Sequence, residues 1–112
     1  MTPGDERAIS RIIEFASQLG EMIFEQGITR EVVSTQRYVQ WAITTPLYNI
    51  GELVSHISRP LKAEHPDIPW SKISGLRHRL VHDYKGTDWD IINTIIFEDL
   101  PEFVGQLQSI VR

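Results

Sequence analysis

Within the fourteen residues from Lys72 to Lys85 lie four cationic side chains, Lys72, Arg77, Arg79 and Lys85, and two histidines, His78 and His82. An imidazole exchanges protons near neutral pH, and a guanidinium holds charge that develops on phosphate oxygens. Together they suit phosphodiester chemistry. Arginine fits the second task because its planar fork grips two oxygens at once and stays protonated. The competing reading of the same residues is a solvated basic helix face.

The rest of the chain sets off this cluster. Residues 72–85 carry four basic side chains against one acidic, whereas residues 86–112 carry one against five, and the 112-residue chain has a formal net charge of -4. Such a balance argues against general coating of nucleic acid and leaves room for a confined basic site. The absence of cysteine excludes a disulfide framework, a zinc ribbon and a thiol nucleophile. No uninterrupted apolar run exceeds three residues, and the opening MTPGDERAIS has neither a basic leader nor an apolar core. A cytoplasmic protein without a membrane segment is therefore expected.

The elements that must position the cluster read as helices. Thr2 as cap, Pro3 at the first helical position and Ile9, Ile12, Ile13, Ala16, Leu19 and Ile23 predict a first helix that stops at Gly27. A second stripe, Ala8, Phe15 and Met22, either widens its core face or meets a partner chain. A short turn capped by Thr29 leads to a long second helix from Gln36 to His56. Its stripe is Val39, Ala42, Ile43, Leu47, Ile50, Val54 and Ile57, and Pro46 is expected to kink it. Pro60 to Pro69 reads as a long connection. A third helix is predicted from Trp70 through Ile73, Leu76, Leu80 and Val81 to Tyr84. After a turn at Gly86 capped by Thr87 or Asp88, a last helix carries Ile92 to Val111, restarted at Pro101 with Asp99 as its cap. Nothing alternates long enough for a sheet, so residues 1–112 should form one all-α domain, an up-and-down four-helix bundle. Trp41, Trp70 and Trp89 are expected in the core and at its edges rather than stacked on bases, and His56 and His65 at the surface.

The stretch Ile68-Pro-Trp-Ser-Lys-Ile-Ser-Gly-Leu-Arg-His-Arg-Leu-Val-His-Asp-Tyr84 resembles the signature of HEPN-domain toxins of the HepT kind. In that family an Arg, four residues, a His, one residue and a Tyr form the ribonuclease motif. The matching positions here are Arg77, His82 and Tyr84. Ile50-Gly51-Glu52 and Glu98-Asp99-Leu100-Pro101 fit as well, so the resemblance spans most of the chain. It implies a metal-independent endoribonuclease with a composite site in the cleft of a homodimer. It also implies a minimal nucleotidyltransferase antitoxin, which can silence such a toxin by transferring AMP to the motif Tyr, here Tyr84.

Arg77 and His82 are five apart, about 140° around an ideal helix, so one straight helix does not aim both at one atom. Two copies meeting across a cleft, with the helix fraying near His82, remove this difficulty. Arg77 and Tyr84 share a face, so a nucleotide on Tyr84 would cover the Arg. The chemistry implied is attack of an RNA 2′-hydroxyl on the adjacent phosphate, leaving a 2′,3′-cyclic phosphate, with His82 as base or acid and Arg77 stabilising the transition state. Lys72, Arg79 and Lys85 would contact RNA.

His78 stands where the family usually has Asn or another polar residue. It could carry a second proton, hydrogen-bond phosphate, or bind metal with His82; two histidines fall short of a zinc site, and no metal or other cofactor is expected. Glu52 lies away from the apolar stripe and either orients Arg77 or is simply solvated. The alternative function is a non-catalytic helical module that binds a nucleotidyltransferase or nucleotide.

Overall fold

Thr2 starts the chain's first helix by a reciprocal cap. Its Oγ1 accepts the Asp5 amide at 3.0 Å while Asp5 Oδ2 accepts the Thr2 amide at 3.3 Å, and Pro3 occupies the first helical position. In the computed structural model, which describes residues 1–81 and 86–111, this helix, α1, spans Pro3–Glu25. It ends at Gly27, whose φ of 61° is the left-handed conformation that glycine adopts without steric cost. The Ile28 amide returns to the Ile23 carbonyl at 2.9 Å and the Gly27 amide to Phe24, which satisfies the last carbonyls. Both apolar stripes of α1 pack inward: Ala8, Ile9, Ile12 and Leu19 are buried, and Phe15 and Met22 lie half-buried against them.

Thr29 caps the short helix α2, Arg30–Thr35, by accepting the Val32 amide at 3.2 Å. Helix α3, Arg37–Ser55, then runs unbroken through Pro46 and buries Val39, Ile43, Leu47, Ile50 and Val54. The donor missing at Pro46 would have met the Ala42 carbonyl, and Ala42 lies on the exposed side where water can replace it. Ala42 is thus not part of the core stripe. Trp41 is likewise no core residue: it is 61% exposed. At 100° per residue it lies about 160° from the stripe's centre, so packing the stripe inward turns the indole outward.

The connection before the third expected helix is partly helical. Ser58 caps α4, Arg59–Glu64, Pro60 falls in its first turn, and buried Leu61 anchors it. Ser58 also reaches the first helix. Its amide donates to Asp5 Oδ1 at 2.8 Å and its hydroxyl to Asp5 Oδ2 at 2.6 Å, which accounts for a buried carboxylate at position 5.

The third expected helix is two helices, α5 at Trp70–Ser74 and α6 at Leu76–Val81. Gly75, the weakest helix former in the stretch, stands at the joint. Trp70 is buried as expected, donating its indole N–H to the His65 carbonyl at 3.0 Å and meeting the Phe103 ring edge-on at 5.9 Å.

Asp88, not Thr87, caps α7, Trp89–Thr94, by accepting the amides of Asp90 and Ile91. A π-helical turn, Ile95–Asp99, leads into α8, Leu100–Ile110. Asp99 stands at the cap position of α8 as expected, but it is itself helical and its side chain bonds no amide of α8. Pro101 has no N–H for the Phe97 carbonyl, and the chain adapts by a wider turn in which the Leu100 amide bonds Ile95.

The chain is all-helical, and α1, α3, α5 with α6, and α7 through α8 enclose one buried cluster. Asn93 ties α7 to α2 through 3.0 Å bonds to the Arg30 carbonyl and Ser34 Oγ. Among the described residues no helix is long and apolar enough to cross a membrane.

Candidate functional site

The site is built where α3 touches the α5–α6 joint. A Cβ on Gly51 would stand 3.2 Å from the Arg77 backbone nitrogen, 3.2 Å from the Ile73 carbonyl oxygen and 3.3 Å from Leu76 Cβ. A side chain here would be tighter than nine in ten real Cβ contacts, so the neighbours would have to give by a few tenths of an ångström, and glycine avoids this. The close approach brings the start of α6 alongside the end of α3, so the next residue, Glu52, reaches Arg77.

Glu52 Oε2 accepts a hydrogen bond from Arg77 Nη1 at 3.0 Å. The side chains are 35% and 43% exposed, so water screens the pair and its stabilising contribution is about 0–1 kcal/mol. Its consequence is geometric. One N–H of the guanidinium is committed to Glu52, which fixes the plane in which the remaining donors point.

His56, one turn along α3, sits on the other side of the same glutamate. Its Nδ1 lies 2.7 Å from the Glu52 carbonyl oxygen and 3.8 Å from Oε1. Because a carbonyl can only accept, Nδ1 carries the proton and Nε2 is the acceptor of the neutral ring. His56 is exposed as expected, yet it adjoins the site, which the sequence reading missed. Its position four residues after Glu52 on one helix was the available signal.

His78 and Arg79 are exposed on α6 beside Arg77. Lys72 pairs with Asp99 of the π-helical turn, Nζ to Oδ2 at 3.0 Å, so its charge is engaged with α5's neighbour rather than with Glu52. His82, Tyr84 and Lys85 lie outside the described residues. Among the described residues no three His, Cys, Asp or Glu side chains are grouped to hold a metal ion. The structure therefore brings together Arg77, Glu52 and His56, a carboxylate with a fixed cation on one side and an imidazole on the other.

Comparison with known proteins gives this arrangement a context. The family model described as Ribonuclease HepT-like matches residues 6–110. The chain is 29% identical over 102 residues, 89% of itself and 91% of the relative, to TTE0752 of Caldanaerobacter subterraneus subsp. tengcongensis, named as a candidate RNase. It is 30% identical over 87 residues to the "Probable ribonuclease HepT" of Thermococcus cleftensis, covering 78% of the chain and 79% of that protein. A candidate RNase of Methanocaldococcus jannaschii, MJ1380, is 27% identical over 99 residues, 88% of the chain and 89% of the relative. No solved structure matches.

Proposed function

The chain belongs to the ribonuclease HepT-like family, and from that premise we propose that it is the toxin of a toxin–antitoxin pair, a metal-independent endoribonuclease acting in the cytoplasm. Residues 1–112 act as a single HEPN-like helical domain, and two copies form the working unit. The observation that carries this reading is the 3.0 Å bond from Arg77 to Glu52, which orients the motif arginine before any substrate arrives.

The 2′-oxygen of the substrate attacks the adjacent phosphorus and the bond to the 5′-oxygen breaks. A 2′,3′-cyclic phosphate and a 5′-hydroxyl result. His82 takes the 2′-hydroxyl proton, and an imidazole returns a proton to the leaving oxygen. Arg77 stabilises the charge gathered on the non-bridging oxygens. His78, next to Arg77 on α6, hydrogen-bonds phosphate or serves as the second proton carrier. Arg79 and Lys85 contact the RNA backbone, and Lys72 joins them by exchanging Asp99 for phosphate.

A feature of α3 supports the homodimer. Tyr38 and Trp41, 69% and 61% exposed, lie within about 60° of Glu52 around the helix. Large exposed aromatics on the side that carries the Arg77 pair suit a contact between copies that brings two such pairs to one cleft. The minimal nucleotidyltransferase antitoxin silences the toxin by AMP transfer. The Tyr84 phenolic oxygen attacks the α-phosphorus of ATP and pyrophosphate leaves, placing a nucleotide over the motif.

The test is cleavage of single-stranded RNA by the purified protein in EDTA, with growth arrest on expression alone. Arg77→Ala and His82→Ala should each abolish both; if neither variant changes either readout, the catalytic assignment is wrong. Tight binding to the nucleotidyltransferase with no cleavage would favour the non-catalytic module. Intact mass after coexpression should show added AMP that Tyr84→Phe lacks.

A further inference from the structure

An open cleft of 480 Å³ lies between the first turns of α1 and the end of α3, lined by Arg7, Ala8, Ser10, Arg11, Leu53 and His56 with Gly4 at its rim. Its volume is far more than a bare ion fills. Two guanidiniums, an imidazole and a hydroxyl line it, and among the described residues no carboxylate does. Arg7 and Arg11 are one helical turn apart on α1, so both face the same opening. Neither is paired with an acid among the described residues. The Arg11 guanidinium instead rests 5.5 Å from the Phe15 ring centroid, which holds it in place with its donors uncommitted.

This cleft adjoins the Glu52–Arg77 pair through His56. His56 lines it and also bonds the Glu52 carbonyl at 2.7 Å, while the Glu52 carboxylate holds Arg77. The Nε2 of His56 is thereby turned from Glu52. Arg7 and Arg11 also lie in a segment whose overall charge is acidic, so their local excess is not visible in the segment sum.

We propose that this cleft binds the phosphodiester backbone of single-stranded RNA, extending the substrate track from Arg77 past His56 to Arg7 and Arg11. The inference rests on the ribonuclease reading, since it takes the RNA that Arg77 acts on as the polymer passing through. An open trough suits a chain that enters and leaves, and unpaired guanidiniums release counterions when phosphate replaces water.

The experiment uses the full chain and a labelled single-stranded RNA with 2′-O-methyl groups, which lacks the nucleophile and so reports binding alone. Fluorescence anisotropy is followed across salt concentrations. Arg7→Gln with Arg11→Gln should weaken binding roughly tenfold and flatten the log–log salt slope by about 1.4, at about 0.7 for each lost contact on a single strand. Arg7→Gln alone touches no ring, so its half-sized effect separates lost charge from lost packing over Phe15. Arg37→Gln, at the far end of α3, serves as the control. If the double variant behaves like that control, the cleft does not carry RNA. If RNA binding is unchanged while binding of the nucleotidyltransferase is lost, the cleft is a protein-docking site and the proposal is overturned. A wild-type protein that binds through Arg7 and Arg11 but never cleaves unmodified RNA would instead overturn the catalytic reading and leave this one standing.

Discussion

Gly51 and Arg77 are 26 positions apart in sequence, yet a Cβ on the glycine would stand 3.2 Å from the arginine's backbone nitrogen. The neighbouring glutamate can reach the arginine side chain because of that approach. Glu52 and Arg77 are therefore joined by a packing event, and the strength of their own bond is secondary.

Gly51→Ala tests the packing directly. Alanine gains about 1 kcal/mol of helix propensity over glycine, but its methyl would press on two backbone atoms and Leu76 Cβ at once. The expected net result is a loss of about 1–2 kcal/mol and a Tm lower by roughly 4–10 °C, with cleavage lost disproportionately. Gly20→Ala and Gly105→Ala, where an added Cβ meets nothing within 4 Å, should raise Tm instead. Thermal unfolding of the three variants decides whether close approach or propensity dominates.

Glu52→Ala should lower kcat about 10–100-fold while leaving KM within about threefold, because a misdirected guanidinium loses transition-state contact more than ground-state binding. Glu52→Gln keeps an acceptor for Arg77 and should recover most of the rate. Stability should move by no more than about 1 kcal/mol, as befits a screened pair. Equal losses in both variants would mean that Glu52's charge, not its geometry, matters.

Acid sensitivity should trace to Asp5. Burial pushes its carboxyl up, but the Ser58 hydroxyl and amide and the Thr2 amide donate to it and together hold it below its ordinary 3.8. A depressed folded value means the carboxylate stabilises the fold above the unfolded value and that this contribution disappears as pH falls through the folded one. Urea titrations should show wild type more stable than Asp5→Asn at pH 7, with the gap closing below about pH 4. Ser58→Ala, which removes the α4 cap and a donor to Asp5, should cost about 1–3 kcal/mol at neutral pH.

Trp41→Ser removes a side chain that is 61% exposed, so the isolated bundle should lose at most about 0.5 kcal/mol. On the proposed pairing of two copies, sedimentation velocity should show wild type as a dimer and the variant as a monomer at the same concentration. An unchanged dimer would place the contact between copies on another face.

Thr2 with Pro3, Gly27 and Thr29 were legible in the sequence, and the start of α7 was narrowed to Thr87 or Asp88, because a cap is settled by residues within about four positions. The apolar period along α1 and α3 and the lack of alternation were enough to make the chain all-helical, and the motif residues pointed to the family. Trp41 shows the limit of reading composition without phase: an aromatic is assigned inward by type, but its angle from the Val39–Val54 stripe turns it outward.

What no local pattern could settle are relationships made by the chain folding on itself. Asp5 and Ser58 meet across 53 positions, Asn93 and Arg30 across 63, and Glu52 and Arg77 across 25. Residue types and spacing determined which groups could do chemistry here. Only the packing of α3 against α5 and α6 decided that Arg77 is held by Glu52 beside His56, and only the placement of the π-helical turn near α5 that Lys72 is drawn to Asp99, because those distances depend on how closely backbones approach.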